Sequence, residues 1–162
     1  MCERFVGHNG TILLTASDLL WYCTYVQEKG RPVEVVIDPS AILAVLLHEP
    51  ERDSLITTTK RADLIAPASL PWEIGNALIA GLRRQRLRLD DVQAAWTSYE
   101  EIPLRLVDVD MGRALDAAAE HGLYAYDAYI LETALSRRLP VLTLDKTLSR
   151  AAGQAGVAVL EI

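Results

Sequence analysis

Val33-Glu34-Val35-Val36-Ile37-Asp38-Pro39-Ser40 sets a run of β-branched residues directly against an acid, a proline and a small polar residue. Valine and isoleucine are stiff at χ1 and favour strands. Asp38 before Pro39 is the pattern of a helix N-cap with proline at the first helical position. The stretch therefore predicts a strand over 33–37 that hands over to a helix. Outward from it the same alternation repeats. Leu64 to Ala66, Leu104 to Val107, Val141 to Leu144 and Val157 to Leu160 are short apolar runs, as strands covered on both faces should be. Between them, apolar residues recur at helical spacing: Ile42, Val45 and Leu46; Ile74, Ala77, Leu78 and Leu82; Val92, Ala95, Trp96 and Tyr99; Ile130, Leu131, Ala134 and Leu135. Met111 to His121 is a further helix, closed by Gly122. Strands alternating with helices predict an α/β domain with a parallel sheet.

Upstream of Pro32 the pattern changes. Thr11 to Leu14 is a short apolar run, and Ser17 to Lys29 has one helical stripe of Leu19, Leu20, Cys23 and Val26 that ends at Gly30. Residues 1–32 are expected to be an N-terminal helical extension of unknown role, and residues 33–162 the main domain. With 162 residues, 51% of them hydrophobic, and 7 prolines, the chain is long enough for one substantial core. Cys2 and Cys23 match no spaced ligand or redox pattern, so neither a disulfide framework nor a zinc site is expected. No stretch is long and apolar enough to span a bilayer. Glu3, His8, Asn9 and Asp18 interrupt the start, so no secretory signal is expected either. A soluble protein of the reducing cytoplasm is the expectation.

Four carboxylates stand where an apolar run gives way to a turn or a new helix: Asp38, Glu73, Asp127 and Asp145. Each has a plain local explanation. Asp38 and Asp145 suit helix caps, Asp127 complements a helix N-terminus, and Glu73 sits in a helical stripe with Asn76 on the same face. As a set they say more. In an open α/β sheet the strands flanking the switch point deliver their C-terminal ends to one crevice, and Asp38 and Asp145 are at two such ends. Four like charges there repel, at about 3 kcal/mol per pair for ~5 Å and an effective dielectric of ~20. Either some acids stay protonated or a cation sits among them. Oxygen ligands without His or Cys suit Mg²⁺ or Mn²⁺, ions that activate water and offset charge on a scissile phosphate.

A formal net charge of -6 excludes holding nucleic acid by global electrostatics alone. The local exception is Arg83, Arg84, Arg86 and Arg88, a basic cluster at the end of the helix that begins near Glu73; it is either a contact to a phosphate backbone or a solvated helix end. His8, His48 and His121 are scattered and are expected at the surface. Trp72, Trp96 and Tyr99 have the spacing of interior or dimer packing, and packing is also expected of Tyr124, Tyr126 and Tyr129 around Asp127.

The order and context of Ile37-Asp38-Pro39-Ser40-Ala41, Pro67 to Ala77 with Glu73 and Asn76, Leu123 to Leu131 with Tyr126-Asp127-Ala128, and Thr143-Leu144-Asp145-Lys146-Thr147-Leu148 resemble the PIN domain. More narrowly, the chain is similar to VapC-type toxins of toxin-antitoxin pairs, over about Val33 to Ile162. The resemblance implies a three-layer fold with a five-stranded parallel sheet flanked by helices. It also implies a Mg²⁺- or Mn²⁺-dependent endoribonuclease whose four acids match Asp38, Glu73, Asp127 and Asp145, with Ser40 at an accessory polar position. A homodimer and a small antitoxin whose tail occupies the groove are further implications. Pro39 departs from the family's usual small residue, and Leu123-Tyr124-Ala125 replaces a stretch that commonly carries Ser or Thr. Family members usually begin close to the first strand. A native start near Val33 is therefore one expectation, open to intact-mass measurement on natively expressed protein, and an accessory helix over residues 1–32 is its rival.

Two other classes stand beside the nuclease. A non-catalytic PIN-fold binding module is favoured where one of the acids is missing, and all four are present. A phosphatase-like domain wants a second Asp two residues after the first, where Ser40 stands, and a receiver-like domain wants an acidic pair before its acceptor strand, where none is seen.

Overall fold

The computed structural model describes residues 32–162. The expected helix over 17–29, with His8 and the two cysteines, lies outside the described residues. Strand β1 (Val33–Ile37) leads into α1 (Pro39–Leu46), then come α2 (Arg52–Thr59), β2 (Ala62–Pro67), α3 (Leu70–Arg83), α4 (Leu89–Glu100) and β3 (Leu104–Val107). The chain continues through α5 (Met111–His121), α6 (Ala125–Arg137), β4 (Val141–Leu142), α7 (Lys146–Gln154) and β5 (Val159–Leu160). All strand pairings are parallel, in the order β3-β2-β1-β4-β5. The fold is the expected α/β sheet of five parallel strands.

The period of two in the strands explains the three layers. Val35 and Ile37 of β1, Leu64 and Ala66 of β2, and Leu142 of β4 pack with residues of α1, α2, α3 and α4 in one core. Val36, Ile65 and Val141, one position out of phase, pack with residues of α5, α6 and α7 in a second core. Both faces of the sheet are thus covered. Val36 and Ile65 are fully buried, which is why these strands read as continuous apolar runs.

Helix boundaries follow the local chemistry. Asp38 is extended and accepts from the Ser40 N–H, with Pro39 opening α1. Asp110 caps α5 by accepting from the Arg113 N–H at 3.2 Å, and Gly122 ends that helix at φ 66°. A side chain at Gly122 has open space around it, so only the left-handed backbone opposes one. Gly122→Ala is expected to cost about 1 kcal/mol, read as a lower urea midpoint at unchanged slope.

Three expectations are corrected. The helix α2 goes unseen in the hydrophobic pattern because only Leu55 of its eight residues is buried and it ends in three threonines. Thr57 and Thr59 keep helical geometry by donating back to the carbonyls of Asp53 and Leu55 at 2.8 Å. Of the interior or dimer packing expected of Trp72, the interior half is excluded, the side chain being 71% exposed. The fourth strand stops at Leu142, and Thr143 and Leu144 belong to the turn that follows. Among the described residues no helix is long and apolar enough to cross a membrane.

Candidate functional site

The strand order puts β1 beside β4, with the Asp38 N–H donating to the Leu142 carbonyl at 3.0 Å. This is the switch point: from β1 the chain moves one way to β2 and β3, and β4 and β5 lie on the other side. Asp38 follows β1 and Asp145 follows β4. Both are helix caps as well, since Asp145 Oδ1 accepts from the N–H groups of Thr147 at 2.6 Å and Leu148 at 2.9 Å. Capping and membership of a crevice are therefore not alternatives. Strand ends at a switch point are also helix starts, and an acid there does both.

Asp38 is 5% exposed and its bonds fall on one oxygen. Oδ2 accepts from the Ser40 N–H at 3.0 Å, from the Thr143 hydroxyl at 3.1 Å and from the Ser40 hydroxyl. The two hydroxyls also receive bonds from the β4 side: Leu144 N–H donates to Ser40 Oγ at 3.0 Å and Asp145 N–H to Thr143 Oγ1 at 2.9 Å. Glu73, in the first turn of α3, accepts from the Ser69 hydroxyl on Oε1 at 2.9 Å. Asp127 lies in the first turn of α6.

The four acids act on one another. Burial raises the Asp38 carboxyl above its usual range, against the hydrogen bonds from Ser40 and Thr143, and the charge of Asp145 raises it further. Burial also pushes Glu73 up to about 7; Ser69 opposes that shift, and Asp38 and Asp127 add to it. Asp127 is raised to about 6 by burial and by the charges of Asp145 and Asp38. Hydroxyls and one backbone N–H are what lower these values, and no Lys or Arg enters. Among the described residues, no basic side chain offsets the repulsion between these acids.

That donor set is all oxygen, which fits a hard divalent cation. Among the described residues no three acidic, histidine or cysteine side chains are gathered tightly enough to hold an ion between them directly. Mg²⁺ does not require such a cage, because it keeps several waters and uses one or two carboxylates. Asn76 is exposed on α3, one turn beyond Glu73. Arg83, Arg84 and Arg86 are exposed at the far end of the same helix, and ten residues at 1.5 Å each put Arg83 roughly 15 Å from Glu73 along its axis. Arg88 is engaged instead with Asp91 at 3.1 Å. Tyr124 is 84% exposed and Tyr126 is exposed, its ring edge-on to Tyr129 at 5.7 Å, so the packing expected of all three holds for that one pair. Trp96 and Tyr99 pack against each other at 5.0 Å.

Two residues of this arrangement escaped the sequence reading. Thr143 passed as part of a strand, and Ser69 drew no notice. The available signal was a hydroxyl interrupting the apolar run Val141 to Leu144, two residues before an acid, and a serine four residues before Glu73.

Residues 35–154 match the family model described as PIN domain. No curated protein matches the chain. Among solved structures, PAE2754 from Pyrobaculum aerophilum is similar at 24% identity and a TM-score of 0.61, covering 82% of this chain and 88% of that one. VapBC2 from Rickettsia felis, bound to a DNA fragment from its promoter, is similar at 10% identity and a TM-score of 0.57, covering 79% and 98%. A toxin-antitoxin complex from Klebsiella pneumoniae is similar at 15% identity and a TM-score of 0.53, covering 78% and 96%. At these identities the likeness is one of fold.

Proposed function

The chain belongs to the PIN domain family, whose members are nucleases, and from that premise we propose that it is a metal-dependent endoribonuclease acting as the toxin of a VapBC-type toxin-antitoxin pair. The observation that carries this reading is the mutual electrostatic influence of Asp38, Glu73, Asp127 and Asp145 at the switch point, with no basic side chain among the described residues to relieve it.

Asp38 and Asp145 would hold Mg²⁺ or Mn²⁺ directly or nearly so, and Glu73 and Asp127 would complete the shell through the ion or its waters. The ion, when bound, supplies water activation and charge neutralisation at the scissile phosphate. With the ion bound, Glu73 and Asp127 would stand as carboxylates able to accept hydrogen bonds from the attacking water and so orient it. Ser40 keeps Asp38 in place, and Asn76 would serve as an accessory polar group. Arg83, Arg84 and Arg86 would meet the phosphate backbone away from the cleavage point.

The fold likeness to the toxin-antitoxin complex from Klebsiella pneumoniae supports a protein antitoxin as partner. A homodimer is supported by large apolar side chains left exposed, Trp72 and Ile79 of α3 among them. An RNA substrate and an antitoxin partner would go with a place in the cytoplasm.

The test is cleavage of RNA by the purified full chain with Mg²⁺ or Mn²⁺ and with a chelator. Cleavage confined to the metal-supplied samples is expected. Equal cleavage in chelator rejects the metal mechanism. Failure to cleave any RNA, once a bound antitoxin is excluded, favours the non-catalytic binding module.

A further inference from the structure

We propose that Thr143, acting with Ser40, selects the cation at this site by holding Asp38 so that it offers one oxygen rather than two; this rests on the metal-dependent reading above. Three donors converge on Asp38 Oδ2: the Ser40 N–H, the Ser40 hydroxyl and the Thr143 hydroxyl. A carboxylate oxygen has about two lone-pair sites, so Oδ2 is filled and Oδ1 is the oxygen left for an ion.

The hydroxyls are not free to release it. Each has a single proton, and each spends it on Oδ2. Each also receives an N–H from the turn after β4, Leu144 on Ser40 Oγ at 3.0 Å and Asp145 on Thr143 Oγ1 at 2.9 Å. Turning either proton away gives up a bond to Oδ2, and the two hydroxyls, 3.4 Å apart, offer each other only a longer alternative. Turning the buried Asp38 carboxylate over only exchanges two equivalent oxygens, so one oxygen remains bound to the three donors and one remains open.

The consequence lies in cation chemistry. Ca²⁺ takes 6–8 oxygens and accepts bidentate carboxylates, whereas Mg²⁺ demands near-octahedral geometry, one oxygen per carboxylate and several waters. An Asp38 restricted to Oδ1 favours Mg²⁺ or Mn²⁺ over Ca²⁺. Thr143 touches no substrate in this account; it is a positioning residue.

The test is calorimetric titration of the full chain, freed of metal, with Mg²⁺ alone and Ca²⁺ alone, for the natural protein, Thr143→Val and Thr143→Ser. Thr143→Val is expected to weaken Mg²⁺ by ~10-fold or more, as loss of an outer hydrogen-bond partner does, without weakening Ca²⁺. Its Mg²⁺ preference over Ca²⁺ therefore falls by the same factor. Thr143→Ser keeps the hydroxyl and should keep the preference. Should Thr143→Val not fold, Ser40→Ala is expected to shift the preference in the same direction. A folded Thr143→Val with unchanged preference, or a Thr143→Ser that loses it, overturns this inference alone if the natural protein binds Mg²⁺ and cleaves RNA. A natural protein that binds no divalent ion overturns both readings together.

Discussion

Asp38→Asn is expected to lower RNA cleavage by about a thousandfold or more while leaving the protein folded. The argument is local. An Asn can direct its carbonyl oxygen to the three donors that now meet Oδ2, and Asn caps helices as well as Asp does, so α1 keeps its start. What the substitution puts in place of Oδ1 is an amide NH₂, a donor with partial positive charge. A divalent cation then loses a negative ligand and meets a like-signed group. Removing one preorganised electrostatic partner commonly costs ~10²–10³ in rate, and a direct cation ligand belongs at or beyond the upper end. Folding should not suffer, since the change removes a buried charge that its neighbour Asp145 repels. The measurement is the single-turnover cleavage rate beside a thermal unfolding curve. Cleavage within tenfold of the natural rate in a folded Asp38→Asn would remove Asp38 from the reaction.

Mg²⁺ is expected to stabilise the protein strongly at pH 8 and weakly at pH 5. Glu73 at about 7 and Asp127 at about 6 are both raised above the ordinary carboxylate values near 4, as is Asp38. The folded state then binds protons more tightly than the unfolded chain, so these acids add stability that is complete below about pH 4. That contribution is lost as pH rises through 6 and 7. Without metal, stability should therefore fall from pH 5 to pH 8. A cation replaces the missing protons. At an ion concentration ~100 times its dissociation constant, the gain is about 2.7 kcal/mol, or roughly 8 °C in melting temperature for a chain of this length. Thermal melts across pH 5–8, with Mg²⁺ and with chelator, check this. Glu73→Gln should flatten the metal-free slope between pH 5 and pH 8; a slope that is unchanged in that variant removes Glu73 as its source.

Much of the architecture follows from interactions between residues a few positions apart. The β-branched run at Val33 to Ile37, the cap at Asp38 before Pro39, the apolar stripes of α3, α4 and α6, and Gly122 after α5 each depend on neighbours within one or two turns. Such features can be read without knowing where the rest of the chain goes. The miss at α2 is the same rule working in reverse: its threonines have weak helical preference, and the one buried contact, Leu55, is too little for a period.

The site is a different kind of object. Placing acids at element boundaries is local, and the chain displays it openly. Setting Asp38 against Asp145, and both against Glu73 and Asp127, depends on β4 lying beside β1 and not beside β3, its predecessor in the chain. Thr143 reaches Asp38 across 105 positions, and nothing near either residue specifies that bond. The exposure of Trp72, off the buried face of Leu70, Ile74 and Leu78, is likewise settled by which face of α3 the sheet covers. Local period and capping chemistry thus fix the elements and the supply of carboxylates, while strand order fixes which oxygen meets which donor, because hydrogen bonds and charge repulsion act through distances that only the packed chain creates.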